Sequence, residues 1–328
     1  MVKKTFLAVM AMMSIMALSA CNSGNTEDGS QDVSSTDRLT AEAAQQVLND
    51  SFSKMADLNS YEFDGLLALE LVGGLVPLNA SLTMAGEGDV SNPVMPKLNL
   101  NIGGKVSMGG DADMTGQLDV RLLDNTAYLM VSNLENLDSV VPAEMVAMFS
   151  DQWWSIALDD VMEDVNVELE VDDDVVADVE IEANDDIADL DTEQVEAVKQ
   201  LIRDASLFTN VEDVSTEKGV YHFTGDLDQE GLKSFIVAYG ELVGEVVTQE
   251  ELTEMDNVLA NSDIAVQVWI DSKSGDLKRF VVDALVTIPE EERTSDDPNA
   301  VKVTADVTYS NFNKVVTVEV PEDAMPLQ

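Results

Sequence analysis

Ser51-Phe52-Ser53-Lys54 is the pair of residues in this chain closest to a nucleophile with its base. The S-x-x-K spacing sets a lysine one helical turn from a serine hydroxyl, as in serine acyl transfer, and Lys273-Ser274-Gly275 far downstream matches the K-T-G segment that completes such a site. The serine, however, falls late in an amphipathic helical pattern, the downstream triplet reads as a hairpin turn, and no S-D-N accompanies them. His222 is the sole histidine. That excludes HExxH and multi-histidine zinc sites, and any serine or cysteine triad would have to be built on this one ring. It lies between Tyr221 and Phe223 in a strand pattern with no nucleophile motif nearby, as a structural or exposed strand position does. Asp271 to Asp276 opens like a twelve-residue calcium loop, but Lys273 takes a ligand position, Gly275 comes one place early and Val282 stands where the bidentate glutamate belongs. No G-x-G-x-x-G or P-loop run is present. The chain is therefore expected to be non-catalytic, with no cofactor and no defined metal site.

Cys21 is the one reactive residue with a context of its own. It is the only cysteine in 328 residues, so it has no disulfide partner within the chain. Before it run Lys3-Lys4, an apolar stretch from Phe6 to Ala20 that is short for a transmembrane helix, and Leu18-Ser19-Ala20. Leu18-Ser19-Ala20-Cys21 resembles the lipobox of bacterial lipoproteins. The resemblance implies cleavage between Ala20 and Cys21, a diacylglyceryl thioether on Cys21 with fatty chains such as palmitate, and attachment to the extracytoplasmic face of a cell membrane or outer membrane. Two or more chains give stable attachment where one does not. Asn22, rather than Asp, after the cysteine is compatible with either membrane. Residues 1–20 thus read as a signal peptide and residues 21–38, rich in Ser, Gly, Asn and acids, as a flexible tether of about 20 to 25 Å r.m.s. reach.

Loss of residues 1–20 removes two lysines and no acid, leaving 64 acidic against 15 basic side chains, a net charge of −49. With 45% hydrophobic residues the chain still has the means to build a core, so the acids belong outside. Such a surface repels nucleic acid phosphates and anionic lipid headgroups, so both are poor partners and no nucleic acid is expected, and it attracts cations; salt adaptation and diffuse divalent-ion binding both stay open. The acids peak in residues 159–193, with 17 acids and no base in 35 residues. Val165, Val167, Leu169 and Val171 before Asp172-Asp173-Asp174, and Ala177, Val179, Ile181 and Ala183 after it, keep a strand alternation. An acidic-faced hairpin and a disordered acidic loop are both consistent with that pattern.

The elements that must position any site are legible from periodicity. Thr40 to Met55 places Ala44, Leu48, Phe52 and Met55 on one helical face with Thr40 as N-cap. The period then changes to two through Tyr61, Phe63, Leu67, Leu69 and Leu71. Leu98, Leu100, Ile102, Val106 and Met108 share one parity, as do Met114, Leu118, Val120 and Leu122. Residues 78–84, 264–270, 280–288 and 301–309 repeat it, with Asp124-Asn125 and Ser274-Gly275 as turns. Helical patterns cover residues 143–149, 192–205, 229–243 and 249–259. The expectation is an α+β fold in one domain, residues 39–328: a largely antiparallel sheet with one wet face, its apolar face covered by helices.

A lipobox, a polar spacer, a helix ending in Met55-Ala56-Asp57-Leu58-Asn59-Ser60-Tyr61, long strands, Gln152-Trp153-Trp154, Val268-Trp269-Ile270-Asp271 and Val316 to Ala324 together resemble the LolA/LolB-like half-barrel lipoproteins, the LppX and LprG group included. The resemblance implies a curved antiparallel sheet of about ten strands with helices inside the concavity, and a lipid or acyl chain as ligand. Leu100, Ile102, Leu118 and Val120 are then the candidate lining residues, with Trp154. For Trp153, Trp154 and Trp269 alike, cavity lining competes with core packing, the commoner role of such residues. The alternative is an acidic interaction or structural module with a solid core, its working surface in residues 159–193. Oligomeric state is not legible.

Overall fold

A computed structural model describes residues 38–75, 77–91, 96–109, 113–137, 142–157, 192–215, 217–244, 246–290, 293–294 and 297–327. The expected signal peptide, Cys21, the expected tether up to residue 37 and the acidic segment through residue 191 lie outside the described residues.

The alternating stretches form one open, curved sheet of twelve strands: β1 (Ser60–Val72), β2 (Leu78–Asp89), β3 (Lys97–Met108), β4 (Met114–Leu123), β5 (Thr126–Glu135), β6 (Trp153–Ala157), β7 (Phe208–Asp213), β8 (Val220–Leu227), β9 (Ser262–Asp271), β10 (Leu277–Thr287), β11 (Ala300–Ser310) and β12 (Met325–Pro326). Their spatial order is β12-β6-β5-β4-β3-β2-β1-β11-β10-β9-β8-β7. Two meanders therefore meet in the middle. The chain starts at β1, steps outward to β6, restarts at the opposite edge with β7 and steps back until β11 pairs with β1. Every pairing is antiparallel except that of β12 with β6. Twelve strands stand where the resemblance implies about ten. The short pieces β7 and β12 escape a periodicity count, β7 because a register shift interrupts its pairing with β8.

Turn chemistry sets the hairpins. Asp124 and Asn125 both adopt positive φ, 49° and 60°, as a two-residue hairpin connection requires. At the β9–β10 turn the Asp271 side chain accepts the N–H groups of Lys273 and Ser274, and Gly275 supplies a φ of 72°. Those bonds, led by the one from Ser274, hold the Asp271 carboxyl below the usual carboxylate range despite some burial. The site is a turn.

Five helices accompany the sheet: α1 (Ala41–Met55), α2 (Ala143–Phe149), α3 (Thr192–Asp204), α4 (Gln229–Val243) and α5 (Gln249–Ala260). Thr40 caps α1 by accepting from Ala43, and Thr248 and Glu251 form a capping box on α5. The predicted face of α1 is the buried one. Ala44, Leu48 and Met55 are almost fully enclosed, and the Phe52 ring packs between Phe208 and Phe280 at 5.4 and 6.1 Å. This helix lies on β7, β9 and β10; α3 packs on α1, α4 on α3, and α5 beside β9. The main core is thus gathered under α1, over the β1 and β7–β11 side of the sheet. Residues 311–327 cross the strand ends, tied by Asn313 to Asn59, by the Glu319 carbonyl to Arg121 and by the Asp323 carbonyl to Gln152, and finish as β12 on the outer edge of β6.

Candidate apolar-ligand site

Directly opposed residues in an antiparallel pair share a face, so the registers define each face of the sheet row by row. One row reads Val268, Phe280, Val307, Gly65, Met84, Ile102, Leu118, Val131. The next reads Phe63, Gly86, Leu100, Val120, Leu129, Trp154. Leu100, Ile102, Leu118, Val120 and Trp154 therefore lie on one face, the inner face that carries α1. The adjacent strands β3 and β4, with β6, supply them.

The two halves of that face differ in cover. Under the helices Val266, Val268, Phe280 and Phe223 are at most 2% exposed. On β3 and β4, by contrast, Leu98, Leu100, Ile102, Leu118, Val120 and Leu122 are all only half-buried. No helix among the described residues packs across β2–β4, and α2 sits beside β5 and β6. The result is an apolar floor with partial cover, which water contacts at a cost proportional to its area. Glycines keep the floor low: Gly86, Gly88, Gly104 and Gly116 occupy inner-face positions. At Gly86 a Cβ would sit 2.6 Å from the Asn99 carbonyl oxygen, so that position accepts no side chain without movement.

Trp154 closes one end of the floor. Phe149 from α2 packs against its ring at 5.6 Å, and the Trp154 Nε1–H is sealed from solvent with no hydrogen-bond partner. Periodicity could place the ring but not reveal the idle donor, because a missing partner is a property of the tertiary structure.

Trp153 and Trp269 are neither floor nor core. Adjacent residues of a strand point to opposite faces, so Trp153 belongs to the outer face, under the Arg121 guanidinium at 4.6 Å. Trp269 is the middle of an outer stack, with His222 at 4.2 Å and nearly parallel on one side and Arg279 at 4.8 Å on the other. Arg279 in turn grips Asp306 with two bonds, of 2.8 and 2.6 Å, and that pairing raises its pKa. His222, 3.3 Å from the Gln267 side-chain oxygen, is a strut in this ladder.

The acyl-transfer pattern meets an unexpected geometry. Docking of α1 brings Lys54 to the second motif, where its Nζ donates to the Ser274 carbonyl at 2.5 Å and pairs with Asp276 at 2.7 Å. The Ser51 hydroxyl is buried, 2% exposed, and makes no hydrogen bond. No base reaches it, so the two motifs join to pin the end of a helix to a hairpin. Among the described residues no group of three His, Cys, Asp or Glu could hold a metal ion. The Asp213 carboxylate accepts the Leu39 N–H at 2.7 Å and both the N–H and the hydroxyl of Ser215. Burial alone would raise its pKa. The Ser215 hydroxyl and the two N–H bonds outweigh burial and hold it below the usual range.

Among solved structures, the chain is similar to LprF from Mycobacterium bovis; the match covers 87% of this chain and 98% of that one, at a TM-score of 0.38 and 12% identity. The likeness is one of overall outline, and it carries no residue role across. No protein-family model matches the chain, and no curated relative does. No helix among the described residues is long and apolar enough to cross a membrane.

Proposed function

We propose that this is a lipid-anchored envelope protein, non-catalytic, that holds a lipid or other long apolar chain on the inner face of β2–β6. The observation that carries the reading is the contrast within one face of one sheet. The same apolar parity is sealed under α1 on one side and half-open over Leu100, Ile102, Leu118 and Val120 on the other. An open apolar surface is costly unless something occupies it, and contiguous apolar patches on exported proteins mark partners or ligands. The occupant proposed is a flexible acyl chain. The floor is a trough of aliphatic side chains interrupted by glycines, with one polar handle at the Trp154 end, the composition of small-molecule sites. Cys21 acylation would keep the site at a membrane surface, where such chains are supplied.

The test is titration of the full chain with a fluorescent long-chain fatty acid whose emission rises in apolar surroundings. Saturable binding should weaken at least tenfold in Ile102→Asp and remain in Thr115→Asp, whose position faces outward opposite Lys105. Absence of saturable binding in the unaltered chain contradicts the proposal. Binding that Ile102→Asp leaves untouched but deletion of residues 159–191 abolishes would move the site to the acidic segment.

A further inference from the structure

Among the described residues of the inner face, the Trp154 indole is the polar donor that is sealed and idle. A buried donor without an acceptor carries an uncompensated desolvation penalty, and native structures rarely leave one unless something else satisfies it. Its position within the floor says what that would be. Trp154 ends the row Leu129, Val120, Leu100, Gly86, and each step along the row is one strand spacing. Four spacings of about 4.8 Å make about 19 Å, the reach of an extended long fatty acyl chain. The row is aliphatic throughout, so a chain laid along it meets no polar side chain until it arrives at the indole. Beyond Gly86 the row runs into Phe63, which belongs to the edge of the packed core. The open end is therefore blocked by packed protein on one side, and the polar contact is at the other.

Resting on the apolar-chain reading above, we infer that Trp154 is the polar anchor of the site: the ligand bears an oxygen acceptor at one end of its chain, an ester carbonyl or a carboxyl group, and the Nε1–H donates to it. The ring of Phe149, which packs against Trp154 from the seven-residue helix α2, is what that end of the ligand must slide beneath. Just after α2 the chain is joined to β5 by the Val131–Ser150 bridge and by the Asp151 N–H, which donates to the Val131 carbonyl. The inference concerns a class of ligand. Free fatty acids and acyl esters share the acceptor; hydrocarbons lack it.

Three fluorescent chains separate these classes: cis-parinaric acid, its methyl ester, and diphenylhexatriene, which has no polar atom. Trp154→Phe keeps an aromatic ring and removes the donor. In the full chain this variant should bind the acid, the ester or both about tenfold more weakly, the scale of one hydrogen bond, and diphenylhexatriene within twofold of the unaltered chain. Loss with the ester alone assigns a neutral carbonyl, loss with the acid alone a carboxylate. Without ligand the variant should melt only slightly lower, because the packing lost with the smaller ring is partly offset by removal of an unsatisfied donor. An independent reading is the indole N–H proton resonance of Trp154, which should move downfield on adding acid or ester and not on adding diphenylhexatriene. An equal loss for all three probes, or no loss for any, overturns the anchor while leaving the apolar floor intact. Failure of the unaltered chain to bind any of them overturns both.

Discussion

Val268 and Leu118 stand in the same cross-strand row, on the same face of the same sheet, six strands apart, and the structure assigns them opposite fates. Val268 is 2% exposed beneath the α1 layer; Leu118 is half-buried on the floor that no described helix crosses. Replacing each by aspartate separates burial from face. At Val268 the change forfeits about 1.5–2 kcal/mol of apolar burial and places an unpaired charge in a dry core, for a further 3–5 kcal/mol or so. The total is comparable with the whole stability of a typical domain, so Val268→Asp should not populate the folded state under ordinary conditions. At Leu118 about half of the side chain's burial is at stake and water reaches the carboxylate, so the cost should be only about 1–2 kcal/mol. Urea unfolding followed by far-ultraviolet circular dichroism measures both, with Thr115→Asp as the outward control at under about 1 kcal/mol. Equal and large losses at Leu118 and Val268 would mean that the floor is as dry as the core, and the reasoning from partial cover would be refuted.

Three further outcomes follow from particular residues. Ser51→Ala removes a buried hydroxyl with no partner and should raise stability by up to about 1 kcal/mol; a loss of that size instead would show that the hydroxyl is bonded. Asp213→Asn should cost about 1–2 kcal/mol near neutral pH. Because the folded pKa of Asp213 is depressed, its contribution is present above the unfolded value of about 3.9 and disappears as pH falls through the lower folded value. The variant and the unaltered chain should therefore converge in stability only below the usual carboxylate range, and convergence already near pH 6 would contradict that assignment. Cys21→Ala should turn a membrane-partitioning protein into an unprocessed precursor or a released one, read by detergent phase separation and mobility; unchanged partitioning would sink the anchor.

Much of the sheet was legible because its signal is local. The alternation through Leu98 to Met108 and Met114 to Leu122 puts Leu100, Ile102, Leu118 and Val120 on a single face, and the registers of β3 and β4 place them there. The face of α1 was legible for the same reason. What escaped the sequence depends on contacts between distant segments. Nothing local to Tyr61 or Tyr309 announces that β1 and β11 pair across some 240 residues of chain. Nor does the period of α3 or α4 say that α3 packs on α1 and α4 on α3 rather than on the floor, because an apolar stripe specifies that it is buried and not against what. The meeting of Lys54 with Ser274 is of this kind too; a motif argument sees two fragments of an acyl-transfer site, and docking makes them a helix-to-hairpin clasp. Trp153 beside Trp154 was the opposite case. On a strand the two must diverge, so the outward placement of Trp153 was already implied by adjacency.

The claim on which the account turns is that an acyl chain lies on the inner face of β2–β6, and covalent mapping tests it most directly. A fatty acid carrying a photoreactive diazirine midway along its chain is bound to the full chain, irradiated, and the labelled peptides are sequenced by mass spectrometry. The account predicts labels concentrated at Leu98 to Ile102 and Leu118 to Leu122, competed away by excess unlabelled fatty acid and lost in Ile102→Asp. Labels that fall instead on the outer-face residues Trp269 and Arg279, on α4 and α5, or within residues 159–191, or that resist competition, would contradict it.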